Sequence, residues 1–117
     1  MSDIIRLSTD TRRSRAVIFN GMIMVGGQTP DDRTQDIKGQ TRQALVKIED
    51  FLKQAGTHKG RLISVQIWVA DIVRDITGLN EVWDAWTTPN QAPTRATAQV
   101  KFASSDLLLE ITAIAAL

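Results

Sequence analysis

Two side chains near the C-terminus of this 117-residue sequence stand where chemistry is possible. Arg95 opens a run, residues 95–101, that alternates like a half-buried strand, and Glu110 is the lone carboxylate inside a second, mostly apolar run, residues 108–115. A charge among apolar neighbours needs a partner, because removing it from water unpaired is strongly disfavoured. Arginine presents a planar fork that matches a carboxylate through two parallel charge-assisted hydrogen bonds. Arg95 is therefore suited to hold a small carboxylic acid, and Glu110 to orient a water or move a proton. If the two runs pair as antiparallel neighbours across the turn at residues 103–106, guanidinium and carboxylate meet. The competing reading makes each a structural ion-pair partner on a sheet face or an interface.

Composition removes most other chemistry. Cysteine is absent, which excludes disulfides, thiolate nucleophiles and cysteine metal sites. The single histidine, His58, sits in the turn Gly56-Thr57-His58-Lys59-Gly60 and reads as a solvated loop residue, so neither a Ser-His-Asp set nor metal-ligand spacing is available. Gly26-Gly27 lacks the spacing and the following helix start of a phosphate-cradling loop. A net charge of +1 without blocks of like charge leaves no electrostatic footprint for nucleic acid. No apolar run approaches the ~18 residues of a membrane helix, and no targeting pattern opens the chain; a cytoplasmic location and no membrane partner are expected.

The elements that must position Arg95 and Glu110 follow from periodicity. Residues 1–117 fit one domain, large enough to bury a core. Residues 4–7 read as a brief edge strand. Asn20-Gly21, between two β-prone runs at 15–19 and 22–25, signals a two-residue hairpin, with Gly26-Gly27 ending its second strand. From about Thr34 the apolar period becomes 3.6 through Ile37, Leu45, Ile48, Phe51, Leu52 and Ala55, which predicts a helix of about five turns that stops at Gly56. Residues 62–70 read as a central strand. Ile76, Leu79, Val82, Trp83 and Trp86 predict a second helix capped by Asp75 and ended by Pro89 and Pro93. The order is β, β, β, α, β, α, β, β. Both helices belong on one face of the sheet, burying Trp83, Trp86 and Trp68. The other face, carrying Arg95, Thr97 and Gln99 or their neighbours, is left for a partner subunit.

Several stretches together give a resemblance that covers residues 13–117. They are Gly26-Gly27-Gln28-Thr29-Pro30, the helix QTRQALVKIEDFLKQAG, VQIWVAD, LNEVWDAW, APTRATAQV and LLLEITAIAAL. The chain resembles the Rid (YjgF) family of enamine/imine deaminases. The resemblance implies an α+β, chorismate-mutase-like fold with a mostly antiparallel sheet and two helices on one face. It further implies a homotrimer with sites between subunits, hydrolysis of reactive 2-imino acids or their enamine tautomers to 2-oxo acids and ammonia, and no metal or organic cofactor. The family arginine of the Pro-x-Arg motif falls on Arg95, the family glutamate on Glu110, and the pocket-lining glycine and asparagine on Gly27 and Asn80. Two positions depart from the family pattern: Arg13 stands where an aromatic residue is common, and Thr97 where many members have cysteine. Arg13 and Thr97 are accordingly candidate substrate contacts. An arginine at that position fits a substrate with a second anionic group, or a copy that binds without turnover. The alternative function is thus a non-catalytic 2-oxo acid sensor at the same seam.

Overall fold

A computed structural model describes residues 3–117. Strands β1 (Ile5–Thr9), β2 (Ser14–Phe19) and β3 (Met22–Gln28) are successive antiparallel neighbours. Asn20 and Gly21 have φ of 53° and 77°, the positive values that a two-residue type I′ hairpin requires. Beyond them β3 does not end at its glycines. Val25 lies opposite Ala113 and Gln28 opposite Ile111, so the pairing gains a residue at Gly26-Gly27 and the strand continues through a β-bulge.

Helix α1 (Ile37–Gln54) turns Ala44, Leu45, Ile48, Phe51 and Leu52 into the core. Its start falls later than Thr34 because the Thr34 N–H and hydroxyl both donate to Asp32 Oδ1, at 3.0 and 2.6 Å, a local closure that competes with helix. Asp36 caps the first turn by accepting the Gly39 N–H at 2.9 Å. At the far end Gly56 has φ 79°; its N–H donates to Lys53 O at 3.0 Å and that of Thr57 to Leu52 O at 2.9 Å. These two bonds form the Schellman closure that the glycine predicts.

Strand β4 (Leu62–Val69), helix α2 (Ile72–Trp86), and strands β5 (Thr94–Gln99) and β6 (Leu109–Ala116) complete the chain. The cap of α2 is Asp71, which accepts the Arg74 N–H at 3.1 Å, and not Asp75. Asp75 lies within the first turn, buried, with both carboxylate oxygens taken by the Arg74 guanidinium at 3.0 and 2.8 Å.

Sheet order corrects the expected neighbourhood of the two closing strands. The order is β1-β2-β3-β6-β4-β5, so β4 separates β5 from β6. Helix α2 carries the chain back along the sheet, and a strand reached by such a crossover pairs in parallel, as β5 does with β4. Residues 100–108 then pass the end of β4, where Val100 N–H donates to Val69 O at 2.9 Å and Ala70 N–H to Leu108 O at 3.0 Å. They deliver β6 between β3 and β4, antiparallel to both.

Both helices cover one face. Ile23, Ile48, Leu52, Ile67, Leu79 and Ile111 are fully buried there, each contributing roughly 1.5–3 kcal/mol by leaving water. Trp83 is buried and Trp86 packs against the same core, their rings 5.5 Å apart. Trp68 departs from expectation. It alternates with buried Ile67 and Val69, which turns it to the open face, where it is half-buried.

Candidate active site

Cross-strand register fixes which way each candidate side chain faces, because paired residues share a face of the sheet. Arg95 pairs with Val65 and Thr97 with Ile67, both core residues, so Arg95, Thr97 and Gln99 lie on the helix side. Glu110 pairs with Trp68 and alternates with buried Leu109 and Ile111, so it lies on the open side. The expected meeting of Arg95 and Glu110 within one chain is therefore overturned, and of the alternatives left for the open face it is the neighbours Ala96 and Ala98, not Arg95, Thr97 and Gln99, that lie there. Period-two alternation was read correctly within each strand; the strand between them was not foreseen.

The helix-side group sits on β5, the edge strand, on the face that α2 covers. The Arg95 guanidinium carbon lies 5.4 Å from the centre of the Trp83 ring, a cation–π contact that holds the fork in place. Among the described residues no carboxylate lies within ion-pair distance of it. Asn80 precedes Trp83 by one helical turn and Thr97 follows Arg95 on the same strand face. Asn80 Oδ1 and Thr97 Oγ1 are buried polar atoms without a hydrogen-bond partner. Such atoms are rare in folded proteins, since each costs about 1–3 kcal/mol when left unmet. Gln99, by contrast, is occupied: its side-chain oxygen accepts the Ile72 N–H at 3.0 Å and ties β5 to the start of α2.

The open-side group is Gly27 with Glu110. A Cβ added to Gly27 would overlap the Glu110 carboxyl, lying 2.7 Å from its Cδ. Only glycine lets the carboxylate lie along the β3 bulge, so the bulge backbone and the acid form one surface. The turn carrying Arg13 adjoins this surface, because the Ser14 and Arg15 carbonyls flank Gly26 at 3.8 and 3.3 Å from the position of a Cβ there. Arg13 itself is exposed. Its turn is clamped by Asp10, whose Oδ1 accepts the N–H groups of Arg12 and Arg13 at 2.7 and 3.0 Å. The Arg12 and then the Arg13 N–H hold the Asp10 carboxyl below its usual range.

The six candidates thus fall into separate groups on opposite sides of the sheet. A groove of about 480 Å³ between α1 and α2 is lined by residues such as Lys38, Arg42, Val46 and Trp86, and contains none of the six candidates. No group of three or more potential metal ligands occurs among the described residues, and no helix there is long and apolar enough to cross a membrane.

Residues 4–117 match the family described as endoribonuclease L-PSP. A RutC family protein of Haemophilus ducreyi is 34% identical over 114 residues, covering 97% of each chain. The chain belongs to the RutC, YjgF or Rid family. A family relative in Escherichia coli, YoaB, is 31% identical over 97% of both chains. Among solved structures, a YjgF-family protein of Neisseria meningitidis superposes with a TM-score of 0.93 at 31% identity, covering 97% of this chain and 94% of that one. A Pseudomonas aeruginosa protein gives 0.94 at 35% identity, with 97% and 98% covered. The α+β fold expected from the family resemblance is the fold observed, two helices on one face of a mostly antiparallel sheet.

One residue of consequence escaped the sequence reading. Gln40, on the first turn of α1, is fully buried and bonded on both sides of its amide. The signal was its place: three residues after Ile37 and five before Leu45, it lies near the apolar stripe.

Proposed function

We propose that this protein is a hydrolytic enamine/imine deaminase that converts reactive 2-imino acids to 2-oxo acids and ammonia. Its sites form between copies in a homotrimer, where the β5 edge of one subunit meets the open sheet face of the next. The observation that carries this reading is the helix-side group: a fork-shaped cation at the sheet edge, held over Trp83 and without a carboxylate partner among the described residues. A 2-imino carboxylate supplies the partner that Arg95 lacks: its carboxylate takes the two donors of the guanidinium.

Glu110 and the Gly27 backbone of the adjoining copy then face the imine. Water oxygen adds to the imine carbon while one water proton passes to nitrogen; the carbinolamine hydroxyl proton then passes to the amino nitrogen, the C–N bond breaks as the C=O forms, and ammonia leaves. Glu110 orients that water, or protonates the carbon of the enamine tautomer, and main-chain groups of Gly27 fix the nitrogen. Nothing is oxidised or carried, so the reaction calls for no metal and no organic cofactor. Imines hydrolyse readily in water, so positioning and electrostatics supply a sufficient rate advantage.

The test is turnover of 2-aminoacrylate generated in place, followed as 2-oxo acid release. The wild type accelerates release, and Glu110→Gln lowers kcat by about 10² to 10⁴, the range for removing a general acid or base. Wild-type activity in that variant removes Glu110 from the mechanism. Stabilisation by 2-oxobutanoate without any turnover supports the sensor instead, and RNA cleavage without imine turnover replaces both.

A further inference from the structure

Among the described residues, Gln40 is the polar side chain outside the candidate groups with the most hydrogen-bond partners. It is fully buried at the start of α1. Its Nε2 donates toward three main-chain carbonyls, Arg33 at 3.2 Å, Gln35 at 3.1 Å and Asp106 at 3.0 Å, and its Oε1 accepts the Leu108 N–H at 2.9 Å. Three carbonyls about the nitrogen and one N–H donor at the oxygen leave only one orientation for the amide.

The segments it joins are the ones that lead to the open-side group. Residues 33–35 belong to the connection that leaves β3 just after the Gly27 bulge, and residues 106–108 are the last before β6, in which Glu110 is the second residue. Residues 100–108 lie outside the sheet; Leu109 and Glu110 are laddered to Val69 and Trp68 of β4, but on the β3 side the pairing stops at Ile111 opposite Gln28, so Glu110 has no strand partner there. A second tie, Ala70 N–H to Leu108 O, fixes that segment to the end of β4 but not to the β3 side. We infer that Gln40 is a positioning residue for the proposed reaction: its amide sets the seat of Glu110 against the Gly27 bulge by holding the start of β6 to the β3–α1 connection. Arg95 lies at the other end of the 95–108 stretch, on the far side of β4, and is not coupled to this tie.

This inference rests on the deaminase reading, and the experiment separates the two. Gln40→Met keeps length and removes every hydrogen bond; Gln40→Glu keeps the acceptor for Leu108 and sets a carboxylate among three carbonyls. In folded variants kcat for 2-aminoacrylate falls at least about tenfold, as for sub-ångström misplacement of a reacting group. Affinity for 2-oxobutanoate, held by Arg95, stays within about twofold of wild type under the same reasoning. Gln40→Glu recovers part of its kcat relative to wild type as pH falls, because its protonated acid again donates to Asp106 O. Loss of affinity in step with kcat, or wild-type kcat, overturns the positioning role. Hydrogen exchange on the wild type covers the case in which neither variant folds. The Leu108 amide, outside the sheet, is then protected like the amides of β6; exchange as fast as that of Ser105 overturns the inference. A wild type that turns over no imine refutes the deaminase reading, while the exchange measurement still tests the tie.

Discussion

Substituting Gly27 by alanine adds one methyl group at the point where the bulge and the acid touch. The new Cβ would stand 2.7 Å from Glu110 Cδ, whereas carbon atoms in contact rest at about 3.5–4.0 Å. The carboxyl must therefore retreat by about 1 Å, or the bulge must open by as much. A misplacement of about 1 Å in a reacting group costs on the order of 10² in rate. Stability moves less. Alanine gains about 0.5–1 kcal/mol over glycine in a strand through the unfolded chain, and the overlap is with the end of a flexible side chain that can swing aside at little cost. The expected outcome for Gly27→Ala is a folded protein whose melting temperature shifts by a few degrees and whose kcat for 2-aminoacrylate hydrolysis falls about a hundredfold. Steady-state kinetics and thermal unfolding read both quantities on one preparation. A folded variant with wild-type kcat refutes the claim that Gly27 and Glu110 form one working surface.

Other outcomes follow from the same geometry. Arg95→Lys keeps the charge and loses the fork, so affinity for 2-oxobutanoate, read by calorimetry, weakens by about 2 kcal/mol, while the fold is retained. Arg13→Ala lowers kcat/KM for imines of dicarboxylic amino acids at least about tenfold relative to their monocarboxylic counterparts if Arg13 grips a second anion; an unchanged ratio dismisses that role. The Thr34 hydroxyl and N–H, with the Gln35 side chain, hold the Asp32 carboxyl below the usual aspartate range. A carboxyl lowered on folding adds stability above the unfolded value and loses it as pH falls through the folded value. Denaturant titrations below pH 4 therefore show a shallower loss of stability in Asp32→Asn than in the wild type.

Much of the fold was legible because local chemistry decides it. Asn20-Gly21 admits positive φ, the apolar stripe from Ile37 to Ala55 admits only a helix, and Gly56 ends it as a left-handed residue must. The alternation within β5 and β6 was legible too, since it belongs to each strand alone, but which side of β5 meets the helices was not. Which strand lies between them was not, because the pairing of β5 with β4 depends on the return path through α2 and not on any residue within β5. Hence Arg95 and Glu110 were wrongly placed side by side. Trp68 went astray for a related reason: in a strand this apolar, the half-buried open face reads much like the core. Asp71 and Asp75, four residues apart, are equally good caps by type, and only the turn geometry chooses Asp71. Gln40 looked like one more polar residue on a helix, since its partners are main-chain groups far off in sequence.

The central claim is that the cation comes from one subunit and the acid from its neighbour, which subunit mixing tests directly. Arg95→Ala and Glu110→Gln are each nearly inactive alone. When they are unfolded together at equal amounts and refolded into mixed assemblies, about one interface in four joins an intact Arg95 to an intact Glu110, as random placement in a cyclic, head-to-tail oligomer requires. The mixture then regains about a quarter of wild-type turnover. If activity stays at the level of the separate variants although mixed assemblies have formed, the two residues do not act across a subunit boundary.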